Sequence, residues 1–318
     1  MTITELTDKT ARLMEEIETV IIGKRQTVRL AVAGLLCGGH LLIEDIPGVG
    51  KTMLARALAK ALDCNFRRIQ FTPDLLPADV LGVSMYNQAT GKFEFREGPV
   101  FANIVLADEI NRATPKSQAA LLEAMEEFQV TIDGTTRELP HPFFVIATEN
   151  PIEYEGTYTL PEAQLDRFLM KVSLGYPSPE DEVNILSQQM KRHPIHAVNP
   201  VITRDEVVEL QDAVRDIHID DTLKAYAVNL VDRSRSHQAV QLGASPRGSL
   251  ALMRCGQAVA AIAGRQQVIP EDIKGVAHAV LSHRIIVKPE QRIRGLTSEQ
   301  VVGDILRAVD VPVMAETV

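Results

Sequence analysis

The sequence is poor in the features that mark several common protein classes. Its three cysteines, Cys37, Cys64 and Cys255, are scattered through 318 residues and make no CxxC pair. That spacing argues against a disulfide framework or a cysteine-held zinc, and buried free thiols in a reducing compartment are the expectation. The eight histidines form no HExxH or similar metal-binding spacing, and no serine or cysteine sits in a GxSxG elbow. No apolar run reaches the roughly 18–20 residues that a membrane-crossing helix needs. The N-terminal stretch alternates charged and apolar residues at helical spacing and lacks the layout of a signal peptide. A soluble, cytoplasmic protein is therefore expected. A basic excess is missing as well. With 33 Lys and Arg against 42 Asp and Glu, the formal net charge is −9, which argues against a nucleic-acid binder but leaves room for a locally basic channel. Internal repeats, low-complexity tracts and heptad runs are absent.

Apolar residues make up 45% of the chain, enough to bury a sizeable core across one large domain or two ordinary ones. Leu13, Ile17, Val20 and Ile21 predict an amphipathic opening helix, followed by a second over 26–37. Short, strongly apolar runs at 40–45, 66–71, 103–109, 143–150 and 167–174 predict strands. Alternating with helices, such strands indicate a parallel sheet covered on both faces. Turn signals ending at Gly91 and around Asp133-Gly134 predict two hairpins inserted into that core, at 85–95 and 128–140. Pro177 and Pro179 then precede an acidic helix start, which predicts a boundary between an α/β domain, 1–178, and a helical domain, 179–318. In the second part helices are expected over 180–191, 203–217, 220–236, 245–264, 270–282 and 297–308.

The chemistry concentrates in the first part. In HLLIEDIPGVGKT a glycine-rich turn joins a strand to the helix MLARALAKAL. Gly48 and Gly50 allow backbone angles that aim several N–H groups at phosphate, and the helix presents its positive end to the same anion. Lys51 can reach the β- and γ-phosphates, and Thr52 can offer its hydroxyl to Mg2+. The candidate nucleotide contacts are Pro47, Gly48, Val49, Gly50, Lys51 and Thr52, with Met53 in the first helical turn. The general pattern GxxxxGK[ST] asks for glycine at position 45, where this chain has Asp45. A second apolar strand ends in Asp108-Glu109. Beside a phosphate turn, Asp108 would hold Mg2+ and Glu109 would take a proton from the attacking water; acids at a helix start are the alternative reading. A third strand runs into Asn150, which could orient that water or sense the γ-phosphate, or could simply initiate a turn before Pro151. Thr148 and Glu149 are further candidates for the same work.

These residues resemble the AAA+ ATPases, and within them the MoxR family. The strings that carry the resemblance are IEDIPGVGKT (43–52), QFTPDLLPADVLG (70–82), GPVFANIVLADEINRA (98–113), ATENPIEYEGTYTLPEAQLDRF (147–168) and GASPRGS (243–249). The resemblance implies a P-loop NTPase core, an α/β parallel sheet with inserted hairpins, and a C-terminal all-α lid. It implies ATP and Mg2+ as ligands, Ile22 and Gly23 at the adenine, Lys51 and Thr52 as Walker A, and Asp108 and Glu109 as Walker B. Asn150 matches sensor 1, Arg167 the arginine finger and Arg247 sensor 2. Arg112 is the alternative finger and Arg233 and Arg235 are rivals to Arg247; a surface ion pair is the plainer reading of Arg167, and local pairing at a helix start that of Arg247. Arg stays cationic at every relevant pH, which suits a group that stabilises developing phosphoryl charge.

The resemblance also implies a homo-oligomer, a hexameric ring, in which each nucleotide sits between core and lid and is capped by Arg167 of the neighbour. Hydrolysis would reposition the lid through Arg247 and move the inserted hairpins. Protein clients, including partners with von Willebrand factor A domains, are implied for chaperone-like remodelling. The alternatives are a nucleic-acid-dependent motor or loader, invited only by Lys92, Arg96 and Arg137 in the inserts, and a slow regulatory nucleotide switch.

Overall fold

The structure is a computed structural model describing residues 1–151, 157–190 and 193–312. Residues 152–156 of the 147–168 string, and residue 191 at the end of the expected helix 180–191, lie outside the described residues.

Helix α1 (Ile3–Glu18) starts at a capping box: Thr2 Oγ1 accepts the Glu5 N–H at 3.2 Å, and the Glu5 carboxylate accepts the Thr2 N–H at 2.7 Å. Its buried face is Leu6, Leu13, Met14 and Ile17. After α2 (Arg25–Leu36) come β1 (Leu41–Glu44), the phosphate turn and α3 (Lys51–Ala61), whose alanines favour the helix and let it lie close on the sheet. β2 (Phe66–Gln70) and the short α4 (Pro77–Leu81) lead into the first inserted hairpin, β3 (Gly82–Asn87) and β4 (Lys92–Glu97). β5 (Ile104–Asp108) is followed by α5 (Pro115–Glu127), the second hairpin β6 (Gln129–Ile132) and β7 (Thr135–Glu138), then β8 (Phe144–Glu149), α6 (Glu162–Leu165) and β9 (Met170–Val172).

The main sheet is five-stranded and parallel, in the order β2-β5-β8-β1-β9. Because side chains alternate along a strand, the central strands β1, β5 and β8 each feed two apolar clusters. Ile43, Ile104, Leu106 and Ile146 point to one face, packed with α1, α2, α3 and the C-terminal helices. Leu42, Val105, Ala107, Val145 and Ala147 point to the other, under α5 and the segment before β9.

The remaining helices are α7 (Pro179–Gln189), α8 (Arg204–Arg215), α9 (Asp221–Ser236), α10 (Pro246–Ile262), α11 (Pro270–Leu281), α12 (Pro289–Ile293) and α13 (Ser298–Ala308). Among these helices, β10 (Val240–Leu242) pairs antiparallel with β11 (Ile286–Val287). Strands of two and three residues are too short to show an alternation, so the periodicity that predicts helices passes over them. Packing does not break at residue 178. Lys9 of α1 pairs with Glu206 of α8 at 2.7 Å, and one apolar cluster runs from Leu6 through Leu36 to Leu252 and Val276. No helix among the described residues is long and apolar enough to cross a membrane.

Candidate functional site

The strand order puts three chain segments side by side at the C-terminal edge of the sheet: the turn after β1, the end of β5, and, between them, the end of β8. In an open parallel sheet this edge is where ligands bind. Gly48 and Gly50 have φ of 86° and 98°, the left-handed region that favours glycine. A Cβ on Gly48 would meet nothing within 4 Å, so backbone angle rather than space demands glycine there. Lys51, buried, donates from Nζ to the carbonyls of Asp45 at 2.6 Å and Glu149 at 3.4 Å. Thr52 follows in the first turn of α3. Ile21 reaches the turn as well, its Cδ1 lying 4.0 Å from the position of a Cβ on Gly50.

Across β8, Thr148 joins the two acids. Its hydroxyl donates to Asp108 Oδ1 at 2.7 Å and accepts the Glu109 N–H at 2.8 Å. Glu109 sits in the left-handed region with φ of 55°, unusual for a non-glycine residue and characteristic of functional sites. Its carboxylate accepts from Gln70 Nε2 at 2.8 Å and lies 3.1 Å from Arg112 Nη1. Asp108 Oδ2 accepts from Arg68 at 2.9 Å through Nε and 2.6 Å through Nη2. Arg68 also donates to Gln70, so β2 supplies a chain of donors to both acids. Asn150, buried, stands one residue past β8, between the phosphate turn and Asp108.

Glu149 turns to the other face of the sheet. Burial, reinforced by Glu44, pushes its carboxyl up to about 7 against the pull of Lys171. Ile22 and Gly23 lie in the turn between α1 and α2, and a Cβ on Gly23 would fall 2.1 Å from Asp181 Oδ2 at the start of α7. This turn therefore closes directly against the start of α7.

Arg167 and Arg247 occupy the opposite, N-terminal edge of the sheet. Arg167 Nε lies 3.1 Å from Glu126 near the end of α5, and Arg247 Nη2 pairs with the same carboxylate. Neighbouring His40, which precedes β1, fixes the edge: its Nε2 bonds the Met125 carbonyl and its Nδ1 accepts the Val145 N–H. The structure thus groups Arg247 with Arg167 and separates both from the phosphate turn of their own chain. Arg112 is engaged by Glu109, and Arg235 donates to the Ala244 carbonyl at 3.0 Å. Arg137 stacks on Phe95, 3.9 Å from the ring centroid, and so ties the second hairpin to the first.

Residues 40–170 match the model of the ATPase family associated with various cellular activities (AAA), and residues 232–305 match an AAA lid domain. The protein YeaC of Bacillus subtilis is 54% identical over 307 residues, 96% of each chain. Chaperone MoxR1 of Mycobacterium tuberculosis is 40% identical over 310 residues, covering 95% of this chain and 82% of the relative. This chain belongs to the MoxR family of AAA+ ATPases. A crystal structure from Cytophaga hutchinsonii, 39% identical, superposes with a TM-score of 0.91 over 98% of this chain and 97% of the other. As a MoxR-family AAA+ ATPase, the chain is a nucleotide-binding, ATP-hydrolysing enzyme with a P-loop core and a C-terminal helical lid.

Sequence pattern did not single out Arg68, Gln70 or Glu126. Gln70 had a signal: it ends an apolar-and-basic strand level with Asp108, its direct partner across the β2–β5 ladder. Glu126 had none, because its two arginines lie 41 and 121 positions further along the chain.

Proposed function

We propose that this MoxR-family protein couples Mg2+-dependent ATP hydrolysis to chaperone-like remodelling, assembly or activation of protein complexes. The observation that carries the catalytic part is the Thr148 bridge, which holds Asp108 and Glu109 together at the sheet edge that also carries the phosphate turn. In this reading Pro47, Gly48, Val49, Gly50 and Lys51 cradle the phosphates, Met53 supports them from α3, and Ile22 and Gly23 border the base. Glu109 takes the proton of the attacking water and Asn150 orients that water. Gln70 and Arg112 hold the Glu109 carboxylate in position.

The donor set fits Mg2+. A threonine hydroxyl and one carboxylate are hard oxygen ligands, and Mg2+ is commonly held by one or two such groups together with phosphate oxygens. Among the described residues no group of three or more His, Cys, Asp and Glu could hold a metal. Thr52 and Asp108 would therefore hold it jointly with the nucleotide. When bound, Mg2+ offsets the negative charge on the phosphoryl oxygens.

The core 1–178 and the lid 179–318 act as the two working parts in this reading. AAA+ ATPases usually oligomerise, and a hexameric ring is the assembly proposed, with Arg167 and Arg247 facing the next protomer. The name of the relative, chaperone MoxR1, supports a chaperone role, and protein clients, including ones with von Willebrand factor A domains, are the proposed partners. Replacing Glu109 with Gln tests the catalytic core of the reading. Nucleotide binding should persist while turnover falls at least about 100-fold, the lower range for removal of a general base. Robust turnover in that variant rejects Glu109 as the base. The trapped protein then serves as bait for clients and for sizing the assembly with and without nucleotide.

A further inference from the structure

Asp45 stands where the general phosphate-loop pattern has glycine, and it accepts four hydrogen bonds. A carboxylate in an anion-binding loop would repel the phosphates unless its charge were turned away and matched. Here it is both. Oδ2 accepts from Ser173 Oγ at 2.9 Å and from the N–H groups of Leu174 and Gly175, each at 2.7 Å; Oδ1 accepts the Ile46 N–H at 2.9 Å. Burial alone would raise this carboxyl, but the hydrogen bonds from Gly175, Ser173, Leu174 and Ile46 outweigh it and keep Asp45 below its ordinary value. It therefore stays an anion at neutral pH.

Three of its four partners, Ser173, Leu174 and Gly175, lie on the segment joining β9 to α7, the connection between core and lid. That segment is also tied to α2: Thr27 Oγ1 donates to the Ser173 carbonyl at 3.0 Å, and Lys24 Nζ to the Tyr176 carbonyl at 2.7 Å. The main chain of Asp45 serves the other side. Its carbonyl accepts from Lys51 Nζ at 2.6 Å, and its N–H donates to the Glu149 carbonyl at 3.2 Å. One residue thus contacts the phosphate-binding lysine through its backbone and the lid connection through its side chain.

We propose that Asp45 is a positioning residue that transmits phosphate occupancy of the loop to the lid through the 173–175 connection. Phosphate competes with the Asp45 and Glu149 carbonyls for Lys51, the turn re-forms around the anion, and the carboxylate carries that shift to the linker. Glycine at this position offers no such handle. Asparagine keeps one acceptor oxygen for the linker but faces Ile46 N–H with a second donor; alanine removes both contacts. The proposal rests on the reading that nucleotide phosphate sits at residues 47–52.

The test uses the full chain as wild type, Asp45→Ala, Asp45→Asn and Ser173→Ala. Three measurements are made on each: affinity for a fluorescent ADP analogue, steady-state kcat and KM for ATP, and amide exchange of a peptide spanning 173–178 with and without ADP. Wild type should gain protection in that peptide when ADP binds. Asp45→Ala should bind the analogue and keep KM within about 3-fold, yet lose about 10-fold or more in kcat and lose the exchange response, a split that uniform loss of binding would not give. Asp45→Asn should recover part of both. Ser173→Ala, which leaves the phosphate loop untouched, should lower kcat by about 3-fold and weaken the exchange response in the same direction; it decides the matter if Asp45→Ala does not fold. An unchanged kcat and exchange response in Asp45→Ala and Ser173→Ala overturns the proposal. So does a wild type that binds ADP with no change in the linker. A wild type that fails to bind the analogue removes instead the phosphate-site reading beneath it.

Discussion

Two residues at the ends of central strands, the buried His40 just before β1 and the half-buried Glu149 closing β8, set opposing pH dependences. His40 is neutral: burial pushes it down to about 4 from an ordinary 6.5, only partly offset by its bond to the Met125 carbonyl. Since Nδ1 accepts the Val145 N–H, the proton sits on Nε2 and is donated to Met125. Between those two values the unfolded chain binds a proton that the folded one refuses, so stability is lost as pH falls through that window. Glu149 works the other way, because its folded value of about 7 lies above an ordinary 4.5. The folded chain keeps a proton that the unfolded one releases, so stability is lost as pH rises from 4.5 to 7. Each effect amounts to about 3 kcal/mol, and over the shared window they largely cancel. Urea unfolding at pH 5 and pH 7.5 separates them. Glu149→Gln should make the protein clearly more acid-sensitive than wild type, and His40→Gln should make it less so. Equal pH slopes in all three proteins would remove this assignment.

At the scale of elements, β5 and β8 were readable because each is a short apolar run bounded by polar or turn-forming residues, Asp108-Glu109 in one case and Asn150-Pro151 in the other. The phosphate turn was readable for the same reason, as were the two hairpins with their glycine turns. What escaped depends on pairing between distant segments. The β10–β11 ribbon, the short helices α4 and α12, and the donors that β2 lends to the acids have no local periodicity to mark them. The least readable contact is the clamp on the lead-in to β9. Arg284, almost wholly buried, pairs with Asp166 at 2.8 Å and donates to the carbonyls of Phe168 at 2.7 Å and Leu169 at 3.1 Å. Ser245, at the start of α10, donates to the same Asp166 at 2.7 Å. Lid residues thus grip the segment that contains Arg167. A lysine has one charged centre and cannot reproduce a planar fork that serves several acceptors. Arg284→Lys should therefore cost about 2–4 kcal/mol in urea unfolding, approaching the loss seen when a buried ion pair is broken. A cost under about 1 kcal/mol, the range of an exposed pair, would show that the clamp is loose.

Across the whole molecule, the sheet separates the two halves of the proposed catalytic apparatus. The phosphate turn, Asp108 and Glu109 lie at the C-terminal edge, while Arg167 and Arg247 share Glu126 at the N-terminal edge. The four residues of β1 alone put about 13 Å between these edges, beyond hydrogen-bonding reach. An arginine at the far edge can complete a site only on a neighbouring copy, and a head-to-tail contact repeated around a ring supplies every site. Removing a trans-acting arginine should lower kcat by about 10³-fold or more and leave nucleotide binding intact. Arg167→Ala and Glu109→Gln should then each be inactive alone, for different reasons. In a random mixture of the two, an Arg167→Ala protomer keeps its own acids and can borrow an intact arginine from a Glu109→Gln neighbour. About one interface in four has that arrangement, so mixing two inactive proteins should restore roughly a quarter of wild-type turnover if interfaces act independently. An arginine acting on its own chain cannot give this result, because every chain in the mixture lacks one of the two groups. With co-assembly confirmed by co-purification of differently tagged subunits, and independent interfaces confirmed by a linear fall in turnover as Glu109→Gln is titrated into wild type, a mixture that stays inactive rejects Arg167 as the shared group. The same pairing with Arg247→Ala shows whether the second arginine at Glu126 also acts across the interface.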